Sequence, residues 1–461
     1  MSYFSKLKTT IAGFDPLNLG VSFVLYFLLA FAALPFFVLF MPNLGSVKSL
    51  LESVPFDFST YFYALSLIGL LAFALGFYFL RFAAIENTVR SRWDYIWQAR
   101  RTLFVFFAVF TLGIIVKAIR VYNDAFFYLD RSQSFTSHPL YSLVGLFDWF
   151  GTIALAIALI AYFHFLKTGD DRFSMWRYIV WPVMLVEMLY GFFMGARGPV
   201  LVPLIAYVII RNYMVKKRPI QAIMAILIMF TVLMPLLNIN RSTGVFLNAY
   251  VKLNDEEKLL AKKVITEINS ESIQASISLL NRERLANLGK YAFDSSILRT
   301  DQSRIFLAVL NYVYEFQPGE SFKKFAASLG PPRIIWKSKP LIHGDMRDIG
   351  YKSRLLASAD TTSIGPTILG DWYMNFGFLG IIFGMFFLGG IFRFLSHAFI
   401  SLENIHLTGL MLFTVTWLHT IPSAVEGWMA PLWAGYIKLL AILFIIHFAL
   451  RSGEVEENVL S

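Results

Sequence analysis

Apolar residues along the chain gather in blocks of about 20, the length that carries an α-helix across a bilayer core. Ten such blocks lie near 19–41, 59–80, 102–120, 141–166, 175–195, 198–215, 219–238, 367–395, 407–424 and 428–450. Nearly every position within a block is apolar, as expected for helices surrounded by lipid or by one another. No strand-rich region is evident and no fixed-period repeat is found. The pattern predicts an all-α polytopic membrane protein with about 10 transmembrane helices. Residues 1–238 carry the first seven spans, 239–366 form one large outer segment, and 367–461 hold the last three spans and a tail.

Polar positions between the blocks set the expected orientation. Arg81, Arg90, Arg92, Arg100 and Arg101 share one loop, and Lys167, Arg172, Arg177, Arg211, Lys216, Lys217 and Arg218 fall in loops on the same side. Short loops rich in Lys and Arg face the cytoplasm. Both termini are therefore expected there, and 239–366 outside. Within that outer segment, Asn254 followed by Glu257 is a capping-box pattern that opens a helix toward Asn269. A second helix is expected over 272–287 and a third over 305–314. A fourth, over 321–329, stops at Gly330 before Pro331 and Pro332.

Composition narrows the function classes. Of 461 residues, 57% are hydrophobic and 15% charged, which excludes a soluble enzyme, a disordered chain and a fibrous protein. The absence of cysteine removes disulfides, thiol catalysis and cysteine-ligated metals. A net charge of +10 fits cytoplasmic loops and a site for anionic lipid or pyrophosphate rather than nucleic acid. There is no Walker loop, dinucleotide fingerprint, HExxH or nucleophile elbow, and no metal-ligand spacing.

Ionisable groups near membrane depth mark candidate chemistry. Lys117 and Arg120 share a face at the outer end of span three, and Arg197 lies in the turn Gly195-Ala196-Arg197-Gly198. Arg241 follows span seven, and Arg333, His343, Asp345, Arg347, Asp348, Arg354 and Asp371 converge beyond the proline pair. Arginines grouped with a histidine and acids suit a planar-oxygen anion such as pyrophosphate. Asp371 and Asn375, one turn apart, can face the same cavity. Glu187 and Lys438, both mid-span, are expected to pair inside the bundle. His419 and Glu426 share a face near the outer surface, whereas His164, His447 and Arg393 read as interfacial anchors. Gly380 and Gly384 are expected to pack helices.

The stretch 331–392 contains Pro332-Arg333, Trp336, Lys339-Pro340, Gly370-Asp371, Tyr373, Asn375-Phe376-Gly377, Gly380, Gly384 and Gly389. It resembles the oligosaccharide repeat-unit polymerase family, the O-antigen polymerases of the Wzy type, and the Gly-Ala-Arg-Gly turn looks like that family's arginine-bearing turn. Two positions depart from the family: Asp371 stands where Glu is frequent, and Lys337 follows Trp336 where Pro is frequent. The resemblance implies a fold shared with lipid-glycan transferases (GT-C-like), at the bacterial cytoplasmic (inner) membrane, and metal-independent inverting glycosyl transfer with no cofactor. An undecaprenyl-pyrophosphate-linked chain would be donor and a lipid-linked repeat unit acceptor, with a chain-length regulator and a flippase as pathway partners. His343 and Asp371 are then the catalytic candidates and Arg197, Arg241, Arg347 and Arg354 the diphosphate ligands. Arg333, Trp336, Tyr373, Asn375, Lys117 and Arg120 are weaker sugar-binding candidates. A ligase moving finished glycan and a flippase for the lipid-linked oligosaccharide are the alternatives.

Overall fold

The computed structural model describes residues 15, 17–40, 60–93, 95, 97–122, 147, 149–193, 197–215, 302–312, 318–331, 335–336, 366–400, 406–426 and 429–451. Among these the fold is helical and contains no strand. The helices are α1 (Leu19–Phe40), α2 (Thr60–Phe79), α3 (Ala83–Ser91), α4 (Ala99–Tyr122), α5 (Phe150–Thr168), α6 (Trp176–Phe193) and α7 (Arg197–Met214). Then come α8 (Ser303–Tyr312), α9 (Glu320–Leu329), α10 (Thr367–Phe399), α11 (Leu407–Glu426) and α12 (Met429–Arg451). Five are long and apolar enough to cross a membrane: Tyr61–Phe79, Ala99–Tyr122, Phe150–Thr168, Thr367–Phe399 and Leu432–Arg451. The expected span near 219–238 and the helices expected over 254–269 and 272–287 lie outside the described residues.

α5 is the axis of the packing. Its residues Phe150 to Ala161 are all buried, and α4, α6, α7 and α11 pack around it. Alanines at 154, 156, 158 and 161 let these neighbours approach, which is how helices associate where lipid removes the hydrophobic drive between them. α2 and α10 make the most extensive pairing, and glycines permit it. A side chain at Gly76 would collide with the Phe386 carbonyl, and one at Gly389 with that of Phe73.

Three arginines define one end of the bundle. The last carbonyls of a helix have no partner within it, and cations there also oppose the helix dipole. Arg90 donates from Nε (3.1 Å) and Nη2 (2.6 Å) to the His397 carbonyl in the last turn of α10. Arg393 donates to the Phe77 carbonyl of α2 (3.1 Å), and Arg101 to the Ala449 carbonyl of α12 (2.5 Å). The C-terminus of α10 thus meets α3, that of α2 meets α10, and that of α12 meets the N-terminus of α4. Arg393 and His447, expected as interfacial anchors, are instead fastened inside this end: Tyr95 Oη donates to the His447 carbonyl (3.3 Å) and lies 3.2 Å from its Nδ1. In the turn joining α5 to α6, the Arg172 guanidinium beside Asp170 holds its carboxyl below the usual carboxylate range.

α10 departs from the single continuous span expected over 367–395. Gly377 has φ 61° and ψ −148°, a region open mainly to glycine, and the chain reverses there. Trp372 lies against Gly380 and Gly384, neither of which has room for a Cβ. Residues 372 and 384 of one straight helix would stand roughly 18 Å apart along the axis. The small residues therefore do pack helices, and the partner is the preceding half of the same element. Residues 378–399 alone run about 33 Å, which matches a hydrocarbon core of roughly 30 Å. The half-helix 367–376 is thus a re-entrant limb. Its inner end sits at Leu369 beside Gly69, midway along α2. Thr367 starts it at φ 64°, strained for a β-branched residue, and its Oγ1 accepts from the Gly370 amide (3.2 Å) as a cap.

Two helices from 239–366 pack beside the limb and the bundle. α8 and α9 appear close to where sequence places helices, and α9 ends at Gly330. α8 packs on α1, α2 and the limb: Phe306 contacts Phe31 and Phe62, and the Gln302 amide donates to the Ala30 carbonyl (2.8 Å). α9 packs along α12.

Candidate functional site

With the arginine-capped end as reference, the far half of the bundle holds every described site candidate except Trp336, which lies on the end of α9. Lys117 lies five residues before the end of α4, Glu187 six residues before the end of α6, and Arg197 opens α7. Asp371, Tyr373 and Asn375 lie on the re-entrant limb. Arg241, Arg333, His343, Arg347 and Arg354 fall outside the described residues.

Two polar clusters form, and they belong to different helix sets. In the first, Lys117 Nζ donates to Glu187 Oε1, with both side chains 11% exposed. Gly151 of α5 forms the wall against both charges, and the Tyr190 ring lies 4.9 Å below the ammonium. Gly113 in turn meets the backbone of Gly151. The pairing expected between Glu187 and Lys438 is therefore replaced by Glu187 with Lys117. The reason is packing: glycines at 113 and 151 bring α4 onto α5, and that approach carries Lys117 to α6. Lys117 is committed to a carboxylate, so it is poorly placed to bind sugar. Arg120, half-buried one turn further along α4, remains nearer the surface.

The second cluster joins the limb to the outer segment. Ser321 Oγ donates to Asp371 Oδ1. Asn375 Nδ2 donates to Ser321 Oγ (2.8 Å), Asp371 Oδ1 (3.2 Å) and the Asp371 carbonyl (2.8 Å), while its Oδ1 accepts from the Ser321 amide (3.1 Å). Asp371 and Asn375 do face the same way, and all three residues are buried. Ser321 is the second residue of α9, so Asn375 supplies from another helix the acceptor that an N-cap would offer. Asp371 is set against the positive end of α9, where a carboxylate is favoured. Packed this closely, Asp371 is a positioning residue in this state rather than an open base. Ser321 escaped the sequence reading because nothing local shows which span a loop helix will meet.

The remaining candidates are simpler. Tyr373 hydrogen-bonds Tyr61 at the start of α2. Trp336 covers Gly330 at the end of α9, its ring 3.0 Å from where a Cβ would stand. His419 is buried between Trp149 (4.8 Å, edge-on) and Tyr436 (6.2 Å, stacked), with Gly435 beneath its ring. Arg197 is the first residue of α7, where a helix has amides with no partner within it. Among the described residues no three His, Asp or Glu side chains are gathered to hold a metal ion. Comparison with family models, with curated proteins and with solved structures finds no match to this chain.

Proposed function

We propose that this protein polymerises undecaprenyl-pyrophosphate-linked oligosaccharide repeat units into surface polysaccharide at the outer face of the bacterial cytoplasmic membrane. In this reading the chain has about ten spans in a GT-C-like arrangement, with both termini cytoplasmic and the arginine-capped end inward. The observation that carries it is Arg197 at the first position of α7, in the same half of the bundle as the Asp371–Asn375 limb. A helix N-terminus with an arginine is an anion site, and arginine's planar fork suits a diphosphate.

Arg197, Arg241, Arg347 and Arg354 would hold the diphosphate and stabilise the charge that develops as it departs. The acceptor hydroxyl must lose a proton, and His343 is the candidate to take it. Asp371 would act through Asn375 and Ser321, holding the outer segment over the site. Tyr373 and Trp336 would contact sugar, while Lys117 takes a structural role.

The test compares surface polysaccharide and lipid-linked intermediates in cells lacking the gene and in cells carrying Arg197→Ala, Arg197→Lys or Arg347→Ala, with protein abundance measured alongside. Single repeats exported without longer chains, at unchanged abundance, would support polymerisation. Long polymer stranded on its lipid would mean a ligase, repeats trapped on the inner leaflet a flippase, and an unchanged profile would overturn the polysaccharide reading.

A further inference from the structure

α9 is amphipathic in the inverted sense. A helix covering a protein in water buries its apolar stripe and exposes its polar one. Here the inward residues are Ser321 and Ser328, 6% and 3% exposed, and Lys324 is also turned inward. The outward ones are Phe322 and Leu329, 45% and 38% exposed, with Ala326 between them. The spacing i, i+4, i+7 puts these three on one face. Lys323 is the charge beside that face and reaches back to Glu320 (3.5 Å), on a stem long enough to lift its ammonium to a polar boundary.

The apolar face does not stand alone. Phe322 meets Phe376 (5.9 Å) and Trp372 (6.4 Å) of the limb. From Phe376 the exposed row continues through Leu379, Phe383 and Phe387, along an element long and apolar enough to cross the membrane. Phe322 extends the row that the bilayer would cover. Other features agree on depth. The neighbouring limb reaches the mid-length of α2, α8 reaches the Ala30 carbonyl within α1, and α9 itself packs along the last span.

We propose that α9 is a re-entrant helix of the outer segment whose Phe322–Ala326–Leu329 face is in contact with the acyl chains of the outer leaflet. Its polar inward face is held by Asp371 and Asn375. This explains why that hydrogen-bond cluster is closed: at membrane depth the amides at the start of α9 have no water to turn to, so each needs a protein partner. The proposal needs that α10 lies in a membrane and, for the choice of leaflet, the orientation proposed above; it stands apart from the polymerase chemistry.

The absence of cysteine makes single-site labelling direct. Ala326→Cys and Leu329→Cys would each carry a nitroxide in the full chain, reconstituted in phosphatidylethanolamine–phosphatidylglycerol nanodiscs. Phe383→Cys on the lipid-facing row and Arg172→Cys in the exposed α5–α6 turn serve as standards. The ratio of oxygen to nickel-chelate collision at 326 and 329 should match that at 383 and exceed that at 172 several-fold. Nickel access equal to that at 172 would place the face in water and overturn the proposal. Protection from both reagents with spin–spin broadening would mean that a second copy covers it, which also overturns the proposal. The two label sites report independently, so loss of one variant leaves the other to decide.

Discussion

Replacing Glu187 by Ala removes the carboxylate from a lysine that the fold keeps enclosed. Both side chains are 11% exposed and Gly151 seals one side, so water cannot easily take the carboxylate's place. Breaking a buried pair by deleting one partner costs about 3–5 kcal/mol, because the remaining charge stays desolvated. The Tyr190 ring 4.9 Å from Nζ faces the ammonium in parent and variant alike, so its cation–π contact cancels in the difference. A loss near about 3–5 kcal/mol is expected. In detergent this should lower the melting temperature by roughly 5 °C or more, as a kilocalorie moves a large domain by about 2–4 °C. The informative partner is the double variant Lys117→Met with Glu187→Met, which removes both charges and keeps the volume. It should melt within about 1 kcal/mol of the parent, because apolar replacement of a buried pair is neutral or better. The cycle should therefore show about 2 kcal/mol or more of coupling, well above the noise for unlinked sites. Thermal unfolding followed by retention of the monodisperse peak measures the four corners of the cycle, the parent, Glu187→Met, Lys117→Met and the double variant, with Glu187→Ala beside them. If Glu187→Ala melts with the parent, or the double variant melts as low as the worse single, the pair is not a mutual compensation. A double variant that still makes polymer would also show that Lys117 binds no substrate.

Three further outcomes are expected. Asn375→Leu leaves the Ser321 amide and the Asp371 carboxylate short of partners in a dry site, at about 1–3 kcal/mol per unmet group; hydrogen exchange across 318–331 should rise, and unchanged protection would refute the role of Asn375 in holding α9. Gly76→Val and Gly389→Val put side chains into the carbonyls of Phe386 and Phe73 and should abolish folded protein on size exclusion, whereas Gly169→Ala, at φ 70° with open space around it, should fold with about 1 kcal/mol of strain. The lowered Asp170 carboxyl lends stability above the ordinary carboxylate range that is lost as pH falls through its folded value, so Arg172→Gln should flatten the acid limb of the melting-temperature profile, and an unchanged limb would count against that pairing.

Much of the secondary structure could be read from the chain because its causes are local. A block of about 20 apolar residues can satisfy its backbone in lipid only as a helix. Hence α1, α2, α4, α6, α7, α11 and α12 lie within a few residues of where the blocks predict them. The stop at Gly330 before two prolines was equally visible, since the conformational limits of Gly and Pro act within a turn. The one-turn spacing of Asp371 and Asn375 likewise guaranteed a shared face.

The tertiary structure decided which groups meet. Inside an apolar block every face looks alike, so periodicity cannot say which helix a lone charge will find. Glu187 went to Lys117 because Gly113 and Gly151 bring α4 onto α5 beside α6, and Lys438 was left on another helix. The reversal at Gly377 was hidden for the same reason: residues on both sides of it are helix-forming and apolar, and only the fit of Trp372 over Gly380 and Gly384 sets the turn. The inverted face of α9 was legible as a pattern in residues 320–329 but not in its sense. Which stripe points inward depends on Asp371 and Asn375, some 50 residues away in sequence, and on whether the far side is water or lipid.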